Sequence, residues 1–177
     1  MAAVYLLPDV IFQKYLLPKY HRWANYDRAR FLEVYRAGNG GMLLLGVFAS
    51  GAIMLLAPWV IPLLFGKVYQ EAISLLTILA LCVPLHFLAL SIGVTLETQE
   101  NMRLKVYYMG VVAVINVLLN ILIIPIYGAQ GAAVSTLLCE IMLLILYLLA
   151  VRKHVFGSDA WRGWSLSPTI LMGKIKS

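Results

Sequence analysis

INVLLNILIIPIYGAQGAAVSTLLCE, residues 115–140, is the stretch on which the reading of the whole chain turns. Two apolar runs flank a turn at 125–131 that holds Pro125, Gly128 and Gly131. The pattern predicts a membrane hairpin whose second arm carries Glu140, the one carboxylate inside the apolar spans. Asn116 lies eleven residues before Tyr127, and Glu140 lies ten after Gln130. At about 1.5 Å per residue both fall roughly 15 Å below the same interface, near mid-bilayer. Asn120 and Thr136 form a second matched pair closer to the turn. Asn116 and Asn120 share a helical face, as do Thr136 and Glu140. The expectation is that these faces meet and that Asn116 hydrogen-bonds the Glu140 carboxyl.

Composition supports lipid as the solvent. The 177 residues are 62% hydrophobic and 12% charged, too apolar to clothe a water-soluble domain. The net charge of +6 sits between apolar spans, where a membrane surface is a simpler partner than nucleic acid. Cys82 and Cys139 fall within apolar spans and suggest neither a disulfide framework nor a metal site. Met1-Ala-Ala lacks a basic n-region, and Pro8 and Asp9 interrupt the first apolar run, so no cleavable signal peptide is expected.

Four spans follow from hydropathy, at about 42–65, 72–96, 106–124 and 132–151. The first 41 residues read as a partial helix followed by a basic, aromatic interfacial segment, closed by a break at Gly38-Asn39-Gly40-Gly41. Pro58 and Pro62 should kink or end the first span, and Pro84 should bend the second. Gly46 and Ser50 make a small-xxx-small face for close helix contact, and Gly131/Ser135 makes another. Residues 154–177 form a tail that lies on the surface or is disordered.

The charges set the topology. An even number of spans puts residues 1–36, the 97–105 turn and the tail on one side, with six, two and five of the fourteen Lys and Arg; the other side has only Lys67. The positive-inside rule then places both termini in the cytoplasm. The fold class expected is an all-α polytopic membrane protein of four transmembrane helices with interfacial ends.

Candidate site residues are few. Glu140 at a helix centre costs about 2.5–3.5 kcal/mol on insertion scales, so it should face the bundle interior as a proton or cation coupling group or a structural hydrogen-bonding one. His86 is a relay candidate or a neutral hydrogen-bonding group. Asn116 and Asn120 belong to the same layer. Arg22, Arg28, Arg30, Arg103 and Lys105 lie on the cytoplasmic side, where they can face phosphate or simply orient the chain. The carboxylates are scattered and His21, His86 and His154 are far apart, so nothing points to an enzyme, a cofactor or a metal.

Two motifs resemble a known family. Ala57-Pro-Trp-Val-Ile-Pro-Leu-Leu-Phe-Gly66, followed by Tyr69 and Ala72, resembles a proline-containing span of the polysaccharide biosynthesis flippases. Asn116…Asn120…Pro125-Ile-Tyr-Gly128…Gly131-Ala-Ala resembles the same family's hairpin. The family belongs to the multidrug/oligosaccharidyl-lipid/polysaccharide exporter superfamily, whose members have two pseudo-symmetric bundles around a central cavity. The resemblance covers residues 57–140 and implies a C-terminal part, matching some of the second bundle. It implies alternating access, an undecaprenyl-pyrophosphate-linked oligosaccharide as substrate, the bacterial inner membrane as location, and the missing N-terminal bundle or a second chain as partner. A small membrane scaffold or accessory subunit, and a fragment of a drug/cation exporter of the same superfamily, are the alternatives.

Overall fold

The computed structural model describes residues 28–66, 69–97 and 101–157, and every element in them is helical. Helix α1 spans Arg28–Phe65, α2 spans Glu71–Glu97, and α3 spans Met102–Val151, followed by one π-helical turn over Arg152–Phe156. All three helices are long and apolar enough to cross a membrane. Their outer faces carry exposed Phe48, Trp59, Leu63 and Leu122, side chains that water would penalise and acyl chains accept. Membrane insertion follows from those faces.

The first span begins earlier than its hydropathy suggests. Gly38-Asn39-Gly40-Gly41 does not break the chain; α1 runs straight through it. Intrinsic propensity disfavours glycine inside a helix by roughly 1 kcal/mol each. Here it is outweighed because Ala37, Gly38, Asn39 and Gly40 are buried, and small residues let the neighbouring elements approach. Nor do Pro58 and Pro62 end the helix. It continues to Phe65 and stops at Gly66, which takes φ 83° and returns its N–H to the Pro62 carbonyl at 3.0 Å. That is a left-handed helix cap only glycine enters cheaply.

Helix α2 is the centre of the bundle. It packs on α1 along one side and on α3 along the other. Gly46 of α1 sits directly against Pro84: a methyl group built there would lie 2.5 Å from the Pro84 Cα. Both Gly46 and Ser50 are buried, so the small-residue face meets a helix as expected. The core gathers Phe31, Tyr35 and Met42 of α1, Phe87, Ile92 and Leu96 of α2, and Leu144, Tyr147 and Val151 of α3.

Helix α3 contains fifty residues. A straight helix of that length would run about 75 Å, more than twice the hydrocarbon core. It does not run straight. Gly128 leaves the helical region at φ 58° and ψ −140°, and the two arms on either side of it touch. Ser135 Oγ donates to Asn120 Oδ1 at 2.5 Å, although fifteen residues separate them. A methyl group at Gly131 would lie 2.6 Å from Ile123 Cγ2 of the first arm. The expected spans 106–124 and 132–151 are thus the two arms of one folded helix, and the turn between them is a single residue rather than the seven of 125–131.

Candidate functional site

One group of polar side chains in the apolar interior lies where α2 meets α3. His86 lies fifteen residues into α2 and eleven before its end, close to the middle of the helix. Glu140 lies twelve residues beyond Gly128, about 18 Å from the fold. Their side chains meet: His86 Nδ1 is 2.9 Å from Glu140 Oε1. The second carboxylate oxygen, Oε2, is buried with no hydrogen-bond partner among the described residues. Side-chain exposures of 29% for His86 and 19% for Glu140 show an internal pair rather than a rim contact.

The packing that creates the pair is parallel. Gly93 lies seven residues after His86, and Tyr147 seven after Glu140; a methyl group at Gly93 would be 3.2 Å from the Tyr147 ring. Seven residues is close to two helical turns, so α2 and the second arm of α3 run side by side in one register across both contacts. Gly93 thereby leaves a slot that Tyr147 and the end of Lys105 fill, the Lys105 Nζ lying 3.4 Å from the same point. Nothing in the local sequence around Gly93 signals this role; only its position two turns below His86 does.

This geometry corrects the expected partner of Glu140. Asn116 does share its depth, but it faces along its own arm and accepts from Asn120 Nδ2 at 3.0 Å. Asn120 in turn accepts from Ser135 rather than from Thr136. Thr136 bonds back to the Ala132 carbonyl at 2.9 Å, and Ser135 also reaches the Gly131 carbonyl at 3.0 Å. Asn116, Asn120 and Ser135 therefore form a hydrogen-bonded chain that fastens the hairpin, next to the His86–Glu140 pair but not part of it.

The cationic candidates separate. Lys105 is ion-paired with Glu97, each side chain 18% exposed, and so bolts the start of α3 to the end of α2. It is not held out toward a phosphate. Arg103, two residues earlier in α3, is exposed, and so are Arg152 and Lys153 at the far end of the second arm. Arg28 and Arg30 fall in the first turn of α1; their side chains, and Arg22 altogether, lie outside the described residues, as does the tail beyond Gly157.

Chemically, the pair is a carboxylate against an imidazole in a low-dielectric setting. Among the described residues no three His, Cys, Asp or Glu side chains converge as metal ligands. No protein-family model, no curated protein and no solved structure matches this chain.

Proposed function

We propose that the chain is a membrane-spanning unit of a transporter in which His86 and Glu140 form a proton-coupling site. The observation that carries this is the meeting of the two groups at mid-helix between adjacent apolar helices. An ionisable group at that depth is expensive, and such pairs are characteristic of proton relays in pumps and transporters. The unpaired Glu140 Oε2 leaves the carboxylate a position at which a proton or a second partner can be accepted.

The fold-back at Gly128 supports four crossings: α1, α2 and the two arms of α3. That count puts Arg103, Arg152 and Lys153 on one face with the basic N-terminal residues, and the positive-inside rule makes that face cytoplasmic. The motifs at 57–72 and 116–133 carry the reading further, to a polysaccharide-type flippase that moves an undecaprenyl-pyrophosphate-linked oligosaccharide across the bacterial inner membrane by alternating access. In that reading this chain is part of the second bundle and completes its cavity with a further bundle or a second chain. Arg103, Arg152 and Lys153 are exposed cations among the described residues that offer charge to a pyrophosphate.

The test is made in the cells that produce the protein. Lipid-linked oligosaccharide reaching the outer leaflet is quantified with an external glycosidase, in the native strain, after deletion of the chain, and with Glu140→Gln. Deletion should abolish outer-leaflet exposure, and undiminished exposure would discard the flippase reading. Glu140→Gln keeps a hydrogen bond to His86 but cannot ionise. Unchanged transport in that variant would remove the coupling role and leave the pair as a structural tie.

A further inference from the structure

A second polar layer lies on the other side of α2, away from the His86–Glu140 pair. Asn39 stands seven residues before Gly46 on α1, and Ser91 stands seven after Pro84 on α2. Tyr35 and Thr95 stand eleven before and eleven after the same contact. Steps of seven and eleven are near whole numbers of helical turns. The antiparallel register set by Gly46 against Pro84 therefore brings Asn39 level with Ser91 and Tyr35 level with Thr95, all along the α1–α2 interface.

All four residues are fully buried. Among the described residues neither amide atom of Asn39 has a hydrogen-bond partner, nor does the Ser91 hydroxyl. The Tyr35 hydroxyl lies beside the Asn39 side chain, one turn away. Buried polar atoms are almost always paired with protein or with ordered water, most stringently in lipid. Asn39 and Ser91 thus ask for a partner that the packing of α1 on α2 does not supply. Their groups are neutral, and each can donate and accept, which suits water making two to four hydrogen bonds.

An aromatic stack lies over this layer. Phe156 is buried with its ring centroid 5.0 Å from Phe31 and 5.0 Å from Tyr35. It is the last residue of the π-helical turn, between exposed Arg152, Lys153 and His154 on one side and Gly157, at φ 65°, on the other. Single π-turns inside helical segments recur at functional sites, and a glycine in the left-handed region follows this one at once. Phe156 is therefore laid on α1 from a short, irregular turn.

We propose that Asn39 and Ser91, flanked by Tyr35 and Thr95, form a water-binding site that opens to the aqueous phase at the Arg152–Lys153 end, with Phe156 as its lid. The proposal does not rest on the transport reading; it holds for a scaffold as well as for a flippase.

Thiol accessibility tests it in the full chain, in nanodiscs of phosphatidylethanolamine and phosphatidylglycerol. Ser91→Cys is made alone and together with Phe156→Ala, and a charged methanethiosulfonate reagent is read site by site by mass spectrometry. Native Cys82 and Cys139 are buried and report general loosening. With Phe156 present, labelling at position 91 should be slow. Without the ring it should rise about tenfold or more, as local opening predicts, with Cys82 and Cys139 unchanged. Equal labelling at position 91 with and without Phe156 would overturn the proposal. So would a rise that Cys82 and Cys139 share. If the Phe156→Ala protein does not fold, Phe156→Leu keeps apolar bulk while removing the ring. It should then speed labelling at position 91 a few fold, and no change there overturns the lid.

Discussion

Gly46→Ala should separate α1 from α2 and destabilise the bundle, whereas Gly51→Ala, five residues along the same helix, should not. The added methyl at position 46 would lie 2.5 Å from the Pro84 Cα and 3.2 Å from its Cβ. Carbon atoms rest at about 3.5–4.0 Å, so the two backbones must part by roughly 1 Å at this level. The obstacle is backbone and a proline ring, neither of which can swing aside. Overpacking of this kind costs about 1–3 kcal/mol. Alanine returns about 0.5–1 kcal/mol of helix propensity, leaving a net loss of roughly 0–2.5 kcal/mol. At position 51 a methyl meets nothing within 4 Å, so only the propensity gain remains. Comparing the two variants cancels propensity and isolates the contact at about 1–3 kcal/mol. The assay is reversible unfolding in detergent micelles by denaturant, read as a lower midpoint at unchanged slope. A Gly46→Ala protein as stable as Gly51→Ala would refute the close packing of α1 on Pro84. The register that places Asn39 opposite Ser91 would fall with it.

Three further outcomes follow from the same contacts. Gly128→Ala forces a side chain into φ 58° and ψ −140°, so it should cost about 1–3 kcal/mol; Gly110→Ala, which meets nothing within 4 Å, should cost nothing in the same unfolding assay. Ser135→Ala removes the hydrogen bond to Asn120 across the hairpin and should cost about 0.6 kcal/mol, up to roughly 1.7; Thr136→Ala, whose hydroxyl bonds only its own helix, should cost less, and the reverse order would contradict the pairing. Lys105→Met strands Glu97 and should destabilise the protein by about 1–3 kcal/mol, a buried-pair penalty discounted for its place near the end of the bundle. Adding Glu97→Gln should recover much of that loss, and strict additivity in the double-mutant cycle would show that the two side chains do not interact.

Much of the hairpin was legible in residues 115–140. Asn120 and Ser135 meet across it because a tight turn gives nearly equal depths to residues eight before and seven after Gly128. The small-residue pairs Gly46/Ser50 and Gly131/Ser135 also became contacts, since close approach of backbones is a local requirement that side-chain size states directly. The partner of Glu140 was not legible in the same way. Counting along one hairpin fixes depth but says nothing of which neighbouring helix presents a group at that depth. Asn116 and His86 both satisfy the count, and His86 is selected only by the lateral packing of α2. One signal was available: His86 lies near the middle of its own span, as Glu140 does. The choice of Ser135 over Thr136 depends on the turn being one residue long, because each added residue rotates the second arm by about 100°. Lys105 read as a free cytoplasmic cation because the charge pattern counts sign and side, not the reach of a side chain into the slot left by Gly93.

What the sequence determined by itself was membership of lipid as solvent, the all-helical class, the position of the fold in α3 and the layer of Glu140. These are one-dimensional properties: hydropathy, length at a fixed rise per residue, and the unique tolerance of glycine at a bend. Only the tertiary structure decided the rest. It carried α1 through its glycine-rich segment, turned Glu140 toward His86, paired Lys105 with Glu97, and buried Asn39 and Ser91 where α1 meets α2. Each of these depends on which helices are neighbours and in what rotation. That choice is made by the sum of many van der Waals contacts between surfaces far apart in sequence, which no local pattern records.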